Sequence, residues 1–295
     1  MTTTLQAHKS IFGLLKAKQQ CVTIGAHDGL GGRLGERAGF DAIWASGFEI
    51  AASYGLPDAN ILDMSAQLNA SRQINEAVTI PVIADCDNGY GNAINAAYTA
   101  KAFARAGIVG ISIEDNIFPK RCSFYGSARR ELVSAREHAL KVRACKDSTD
   151  GELFVIARTE ALIAGHSMAE ALDRAEAYAD AGADAILIHS KEKTAVQIVE
   201  FAKRWTRPLP LVAVPTTYDS ITAEELGRLG YRIVIFANHG LRASIKAMQQ
   251  AYARLLPAGR ACVLKDDIVS LQSVFDLVGV EEMEAAEQKY IPPIG

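Results

Sequence analysis

The sequence predicts a (β/α)₈ barrel, and three features carry that prediction. Short apolar runs recur along the chain, amphipathic helical stretches separate them, and glycine marks the return from helix to strand. The runs, in order, are Cys21–Ala26, Asp41–Ser46, Pro81–Asp85, Val109–Glu114, Leu153–Arg158, Asp184–His189, Pro210–Pro215 and Arg232–Ala237. Each is rich in Val, Ile and Ala and lacks polar alternation, as strands buried on both faces of a parallel sheet do. Among the helices between them, Ser167–Ala181 is a clear case. Met168, Ala171, Leu172 and Ala175 recur there at helical spacing, and Ser167 with Glu170 fits a capping box. Glycine closes the preceding helix in AGF-DAIWAS, AGI-VGISIE, AGA-DAILIH and LGY-RIVIFA.

The spacings vary too much for a solenoid repeat. Eight strand–helix units are the pattern of a closed barrel, whereas an open doubly wound sheet seldom needs so many in one domain. A chain of 295 residues could hold two domains, but α/β barrels run this long as one. No linker or low-complexity stretch divides it. The expectation is therefore one barrel domain over 1–295 with additional N- and C-terminal helices. The helical extension is expected over about 266–295, and its tail, Val269–Gly295, ends in Pro292–Pro293.

Composition narrows the function classes. The residues are 49% hydrophobic and 22% charged, with a formal charge of −3, which is ordinary for a globular protein. Lysine and arginine are scattered, so a nucleic-acid partner is not expected. Cys21, Cys86, Cys122, Cys145 and Cys262 are an odd set without a CxxC pair, which implies no disulfide framework and fits a reducing cytoplasm. The N-terminus lacks the apolar core of a signal peptide, and no apolar run is long enough to span a membrane.

In a barrel, side chains at the carboxyl ends of the strands converge on one mouth. Here those ends supply Ser46, Asp85 with Asp87, Glu114 with Asp115, Arg158 with Glu160, His189, and Asn238 with His239. One polar strand end is usually a turn residue, but so full a set is hard to assign to chance. The sharpest segment is IADCDNGYGN (Ile83–Asn92). Asp85 and Asp87 flank one residue, so both point the same way, and Glu114 from the next strand makes a carboxylate set suited to a hard cation such as Mg²⁺. Ser46 and Gly47 could offer a hydroxyl and backbone N–H groups to a carboxylate. Asp58, in a Pro–Asp–Ala–Asn turn, reads from the residues alone as a helix N-cap. The polar excursion Glu114–Leu132 has the length of a lid and places Lys120, Arg121, Cys122 and Ser123 in a row. Two cations there could close over an anionic substrate and lower the thiol pKa; the alternative is a solvated basic loop.

From about His27 to Tyr290 the chain resembles the isocitrate lyase/phosphoenolpyruvate mutase superfamily, most of all its phosphoenolpyruvate mutase and phosphonopyruvate hydrolase branch. The likeness is carried by GAHDGL, IWASGFEIAAS, IADCDNGYGN, IEDNIFPKRCSF, IARTEALIAG, ILIHSK and FANHGLRAS. It implies Asp85 as direct ligand of Mg²⁺ (Mn²⁺ as alternative), with Asp87 and Glu114 holding its waters. It implies Ser46 and Gly47 at the pyruvyl carboxylate, with Trp44 and Asn238 as further substrate-binding candidates. Asp58 would lie beside the migrating phosphoryl group, Arg158 and His189 would steady its oxygens, and Lys120, Cys122 and Ser123 would sit on a gating loop. A homotetramer with exchanged C-terminal helices is also implied.

Two departures separate the possible reactions. The mutase motif EDK followed by Asn–Ser has here Asn116 for the lysine and Cys122 for the asparagine, with Ser123 kept. The hydrolase also lacks that asparagine, and carbon–carbon lyases of the superfamily carry KRCGH in the loop. Lyases tend to place a glutamate near the sixth strand end, where this chain has His189–Ser190. The expected activity is phosphoenolpyruvate mutase, then phosphonopyruvate hydrolase, then a methylisocitrate lyase-like cleavage of a 2-hydroxy diacid. A non-catalytic ligand-binding barrel is the reading from another class.

Overall fold

The computed structural model describes residues 9–125 and 130–292. Residues 126–129, inside the long loop expected over Glu114–Leu132, and the tail from 293, including Pro293, lie outside the described residues. Eight parallel strands close into a barrel in chain order: β1 (Cys21–Ala26), β2 (Ala42–Ala45), β3 (Val82–Asp85), β4 (Gly110–Glu114), β5 (Phe154–Thr159), β6 (Ala185–Ile188), β7 (Leu211–Ala213) and β8 (Tyr231–Phe236). β8 returns to β1 through the pairing Cys21↔Ile233, which leaves no free edge. Every apolar run of the sequence becomes a strand, shortened by a residue or so at some ends.

The outer layer comprises α2 (Gly29–Arg37), α3 (Gly47–Ser53), α4 (Met64–Ala77), α5 (Ala93–Arg105), α6 (Ala135–Ser148), α7 (Met168–Asp180), α8 (Val196–Arg204) and α9 (Ala223–Arg228). The four glycines of the helix-to-strand returns, Gly39, Gly107, Gly182 and Gly230, all have positive φ, between 84° and 97°, which only glycine adopts without strain. Ser167 caps α7 by accepting from Glu170 N (3.1 Å). The reciprocal half of the expected box is replaced, because Glu170 accepts from Arg174 Nε instead (2.8 Å).

Two apolar clusters follow from the period of two along each strand. One joins outward residues such as Ile43, Ile111, Val155 and Ile186 to the helices. The other fills the barrel with Trp44, Ile83, Ile156, Leu187, Val212 and Ile233. Ile11 of α1 (Ile11–Ala17) belongs to that inner cluster, so the N-terminal helix contributes to the barrel core.

The chain divides into two compact units, one through His239 and one from Gly240. The second comprises all but the first residue of α10 (His239–Ala258), a 3₁₀ turn at Ala261–Leu264, α11 (Leu271–Val278) and α12 (Val280–Tyr290). Neither α11 nor α12 buries a residue, and Leu271, Phe275 and Val278 of α11 stand exposed. No helix among the described residues is long and apolar enough to cross a membrane.

Candidate active site

The parity that fills the barrel also builds its mouth. Trp44 and Ser46, Ile83 and Asp85, Ser112 and Glu114, Ile156 and Arg158, and Leu187 and His189 are inward pairs two residues apart. In four of the five the lower member is apolar and packs the interior, Ser112 being the exception, and a polar member tops each. They open on a cavity of about 170 Å³ whose lining includes Trp44, Ser46, Asp58, Asp85, Glu114, Lys120, Cys122, Ser123, Arg158, His189 and Asn238. All but two of the site residues expected from sequence meet there. Gly47 and Asp87 stand just behind: a Cβ on Gly47 would lie 3.2 Å from Asp87 Oδ1 and 3.3 Å from Asp85 Oδ2, so glycine lets both carboxylates approach the backbone.

Opposite parity sends Asp115 the other way. Its carboxylate accepts from Thr159 Oγ1 (2.9 Å), Glu160 N (2.8 Å) and Tyr178 OH (2.7 Å). It is therefore an anchor between β5 and α7 and not part of the mouth. His239 lies edge-on to Phe236, outside the cavity lining.

On the strand side, Arg158 is the hub. Its Nε meets Glu160 Oε1 (2.7 Å) and Glu114 Oε2 (3.2 Å), and its Nη2 donates to Ser123 Oγ (2.9 Å) and approaches His189 Nδ1 (2.9 Å). Glu160, fully buried, also accepts from Ser123 Oγ (2.6 Å) and lies 2.8 Å from His189 Nδ1. Burial opposes its charge, but Arg158 and then His189 hold its carboxyl well below the usual range. Burial, helped by Arg158, lowers the pKa of His189 despite Glu160, so the imidazole is neutral near pH 7. Its Nε2 is buried without a partner among the described residues, on a residue that lines the cavity. In the sequence Glu160 stands only as a strand end. The Arg-x-Glu spacing, two inward positions on one strand, was the available signal.

The loop side is organised by Lys120. Its Nζ lies 3.0 Å from Asp58 Oδ1 and 2.5 Å from Asp87 Oδ1, with all three side chains buried. Burial works against the ammonium, but Asp58 and Asp87 together keep its pKa well above the ordinary value. Burial pushes the Asp87 carboxyl upward, against the pull of Lys120. The helix N-cap expected of Asp58 is supplied by Asp63, which accepts from Ala66 N (2.9 Å), and this leaves Asp58 free to meet Lys120. Arg121 points outward and is exposed, so only one of the two expected loop cations enters the cavity. The expected drop in the Cys122 pKa is also reversed. The thiol is 7% exposed, and burial raises it above its ordinary value, so it is a protonated thiol and not a thiolate.

The acids fit a hard cation of low direct coordination. Asp87 is engaged by Lys120 and by Asn60 Nδ2 (2.7 Å), and Glu114 by Asn116 Nδ2 (2.8 Å) and Arg158. Asp85, which lines the cavity, accepts among the described residues from the Asp87 backbone N–H (3.2 Å). No three such side chains among the described residues converge to hold an ion together. One open carboxylate with two neighbours behind it is the arrangement a cation keeping most of its waters takes.

A closed (β/α)₈ barrel with this mouth is an enzyme of the phosphoenolpyruvate mutase/isocitrate lyase superfamily, and the comparisons with known proteins agree. The sequence profile described as phosphoenolpyruvate phosphomutase matches residues 12–256, and the chain belongs to that family. It is 44% identical over 268 residues to phosphonopyruvate hydrolase of Variovorax sp. (strain Pal2), covering 90% of this chain and 92% of the relative. It is 38% identical over 279 residues to phosphoenolpyruvate phosphomutase of Tetrahymena pyriformis, covering 94% and 93%. The crystal structure of phosphoenolpyruvate phosphomutase from Streptomyces platensis subsp. rosaceus superposes with a TM-score of 0.94 at 47% identity, covering 97% and 99% of the two chains. A phosphonopyruvate hydrolase solved with oxalate and Mg²⁺ gives 0.91 at 40% identity, covering 98% and 100%. Relatives named for two different reactions thus stand at similar distances.

Proposed function

We propose that the protein interconverts phosphoenolpyruvate and phosphonopyruvate through a pyruvate enolate. The observation that carries this reading is the buried Asp58–Lys120 pair in the same small cavity as Arg158, Ser123 and His189. A phosphoryl group in transit needs fixed cations and donors around its oxygens and little water within reach. Arg158 and Ser123 offer N–H and O–H groups to those oxygens. A dianion at His189 Nε2, with Glu160 behind Nδ1, favours the imidazolium, which donates from both nitrogens. Ser46 and the Gly47 amide, at the start of α3, receive the pyruvyl carboxylate, and Trp44 and Asn238 border it. Asp58 stands beside the phosphorus and Lys120 fixes its carboxylate. In the direction from phosphoenolpyruvate the P–O bond breaks and a P–C bond forms at the methylene carbon; nothing else enters or leaves.

Asp85, with Asp87 and Glu114 through water, would hold Mg²⁺ or Mn²⁺. That ion would supply positive charge to the enolate oxygen. The Mg²⁺ of the hydrolase relative supports this assignment. A second reading, phosphonopyruvate hydrolysis to pyruvate and phosphate, is favoured by Cys122, which puts a thiol where an amide would hold the phosphoryl group for recapture. Assembly as a homotetramer with exchanged C-terminal helices is supported by the uncovered apolar face of α11.

³¹P NMR of phosphonopyruvate with enzyme and Mg²⁺ tests the reading. A growing phosphoenolpyruvate signal is expected. Phosphate without phosphoenolpyruvate would replace the proposal with the hydrolase, and an unchanged spectrum would sink both.

A further inference from the structure

The Pro–Asp–Ala–Asn turn contributes more than Asp58. Asn60, two residues on, uses both ends of its amide across two elements. Its Nδ2 donates to Asp87 Oδ2 (2.7 Å) and its Oδ1 accepts from the backbone N of Lys120 (2.6 Å). The Lys120 ammonium meets the other oxygen of Asp87 at 2.5 Å. A ring closes: Asn60 to Asp87, Asp87 to the Lys120 side chain, and the Lys120 backbone to Asn60.

Asn60 holds φ +53°, a left-handed conformation that asparagine tolerates better than most residues. Two further contacts of the Lys120–Tyr125 segment land on the same turn, while Ser123 reaches Glu160 and Arg158 on the strand side. Cys122 N donates to the Asp58 carbonyl (3.1 Å), and Asp58 N donates to Tyr125 OH (3.0 Å). These bonds tie the segment to the turn but do not reach Asp87. Asn60 is the neutral group that links all three parts.

We infer that Asn60 is a positioning residue that sets the register of Lys120 against Asp87 and keeps the Lys120–Tyr125 segment seated over the cavity. A carboxylate at this position would face Asp87 with like charge, and an aliphatic side chain would leave Lys120 N and Asp87 Oδ2 without partners in a poorly solvated place. The amide satisfies both, because it is donor at one end and acceptor at the other. As a role in catalysis this rests on the reaction proposed above.

The test uses Asn60→Gly, which keeps the left-handed backbone and removes the amide, and Asn60→Asp, which keeps the acceptor for Lys120 and loses the donor to Asp87. The first readout is tryptic cleavage after Lys120 in the substrate-free protein, followed by mass spectrometry. Lys120 is 4% exposed, so cutting there requires the segment to lift. Both variants are expected to be cut about tenfold faster or more than the parent, the scale of one or two lost hydrogen bonds to charged or buried groups. The second readout is turnover of phosphonopyruvate, where kcat should fall by about tenfold or more while KM stays within about threefold. Cleavage is read without substrate, so a wrong reaction would leave that arm standing. If Asn60→Gly does not fold, Asn60→Asp alone carries the test. Parental cleavage in a folded variant of either kind overturns the inference, and so does parental kcat in an enzyme that turns over phosphonopyruvate.

Discussion

The side of the cavity built from the ends of β4, β5 and β6 and the side built from the Lys120–Tyr125 segment carry the same kinds of group but hold them differently. Glu114, Arg158 and His189 are fixed by strand register, with Glu114 and Arg158 paired across neighbouring strands, so backbone hydrogen bonds set their spacing before any side chain meets another. Lys120, Cys122 and Ser123 have no such ladder. Their places depend on side-chain and turn contacts to Asp58, Asn60 and Glu160. The strand side can be expected to vary little in geometry among barrels of this kind. The loop side can change its chemistry with one residue, and relatives of similar likeness named for different reactions are consistent with that division.

Replacing Arg158 by Met is the harshest way to break the comparison. It removes the cation shared by Glu114, Glu160 and His189, leaving buried carboxylates uncompensated at a cost of about 3–5 kcal/mol. Turnover should fall by about 10³-fold through loss of the phosphoryl donor, and the thermal midpoint should fall with it. An enzyme that loses activity at unchanged thermal stability would show that the strand side is less tightly built than its contacts imply.

Lys120→Met should separate the two sides. The change leaves Asp58 and Asp87 without their cation, yet the loop can lift and admit water to both. Turnover should drop by roughly 10²-fold, while the denaturation midpoint moves much less than for Arg158→Met. Equal loss of stability in the two variants would mean that the loop is as integral to the fold as the strands.

That difference also explains what was legible in the sequence. The strands could be read because parallel strands buried on both faces are continuous apolar runs, and strand-end residues such as Asp85 and Arg158 inherit an inward direction from parity. The loop could be recognised as a loop, but not which way each member turns. Lys120 enters and Arg121 leaves although both are basic, because only Lys120 has two buried acids within reach. The sign of the Cys122 shift followed the same logic: adjacent cations in sequence suggest a lowered pKa, whereas burial, a tertiary property, raises it. Asn60 carries no local signal, because its partners Asp87 and Lys120 are distant in the chain, whereas Glu160 has one only in its spacing from Arg158.

The scaffold behind the strand side should reveal itself through pH. His138 of α6 is fully buried, edge-on to Tyr178 with ring centroids 4.6 Å apart, and Tyr178 in turn donates to Asp115. Burial, then Lys141 and Arg174, push its pKa down to about 3. The unfolded chain takes up a proton near pH 6.5 that the folded protein refuses, so this group's stability is present above pH 6.5 and is lost as the pH falls toward 3. At pH 5 the loss should be on the order of 2 kcal/mol. Urea midpoints of the parent and His138→Phe at pH 7 and pH 5 check this, and a parent no more acid-sensitive than the variant would refute it.

The smallest expected effect bears most directly on the reaction. Cys122 presents a protonated thiol to the cavity, a weak donor and weaker acceptor, in a segment whose backbone is already held by Asp58. Cys122→Asn supplies an amide without disturbing that bond. It should leave turnover intact and raise the ratio of phosphoenolpyruvate to phosphate formed from phosphonopyruvate by about fivefold, the worth of one added hydrogen bond. ³¹P NMR of both proteins under one condition measures the ratio. A variant that loses nearly all turnover would assign the thiol a proton-transfer role, as in a carbon–carbon lyase. A variant with an unchanged ratio would place the choice between recapture and water elsewhere on the loop side, with Asn60 and Lys120 the next positions to vary.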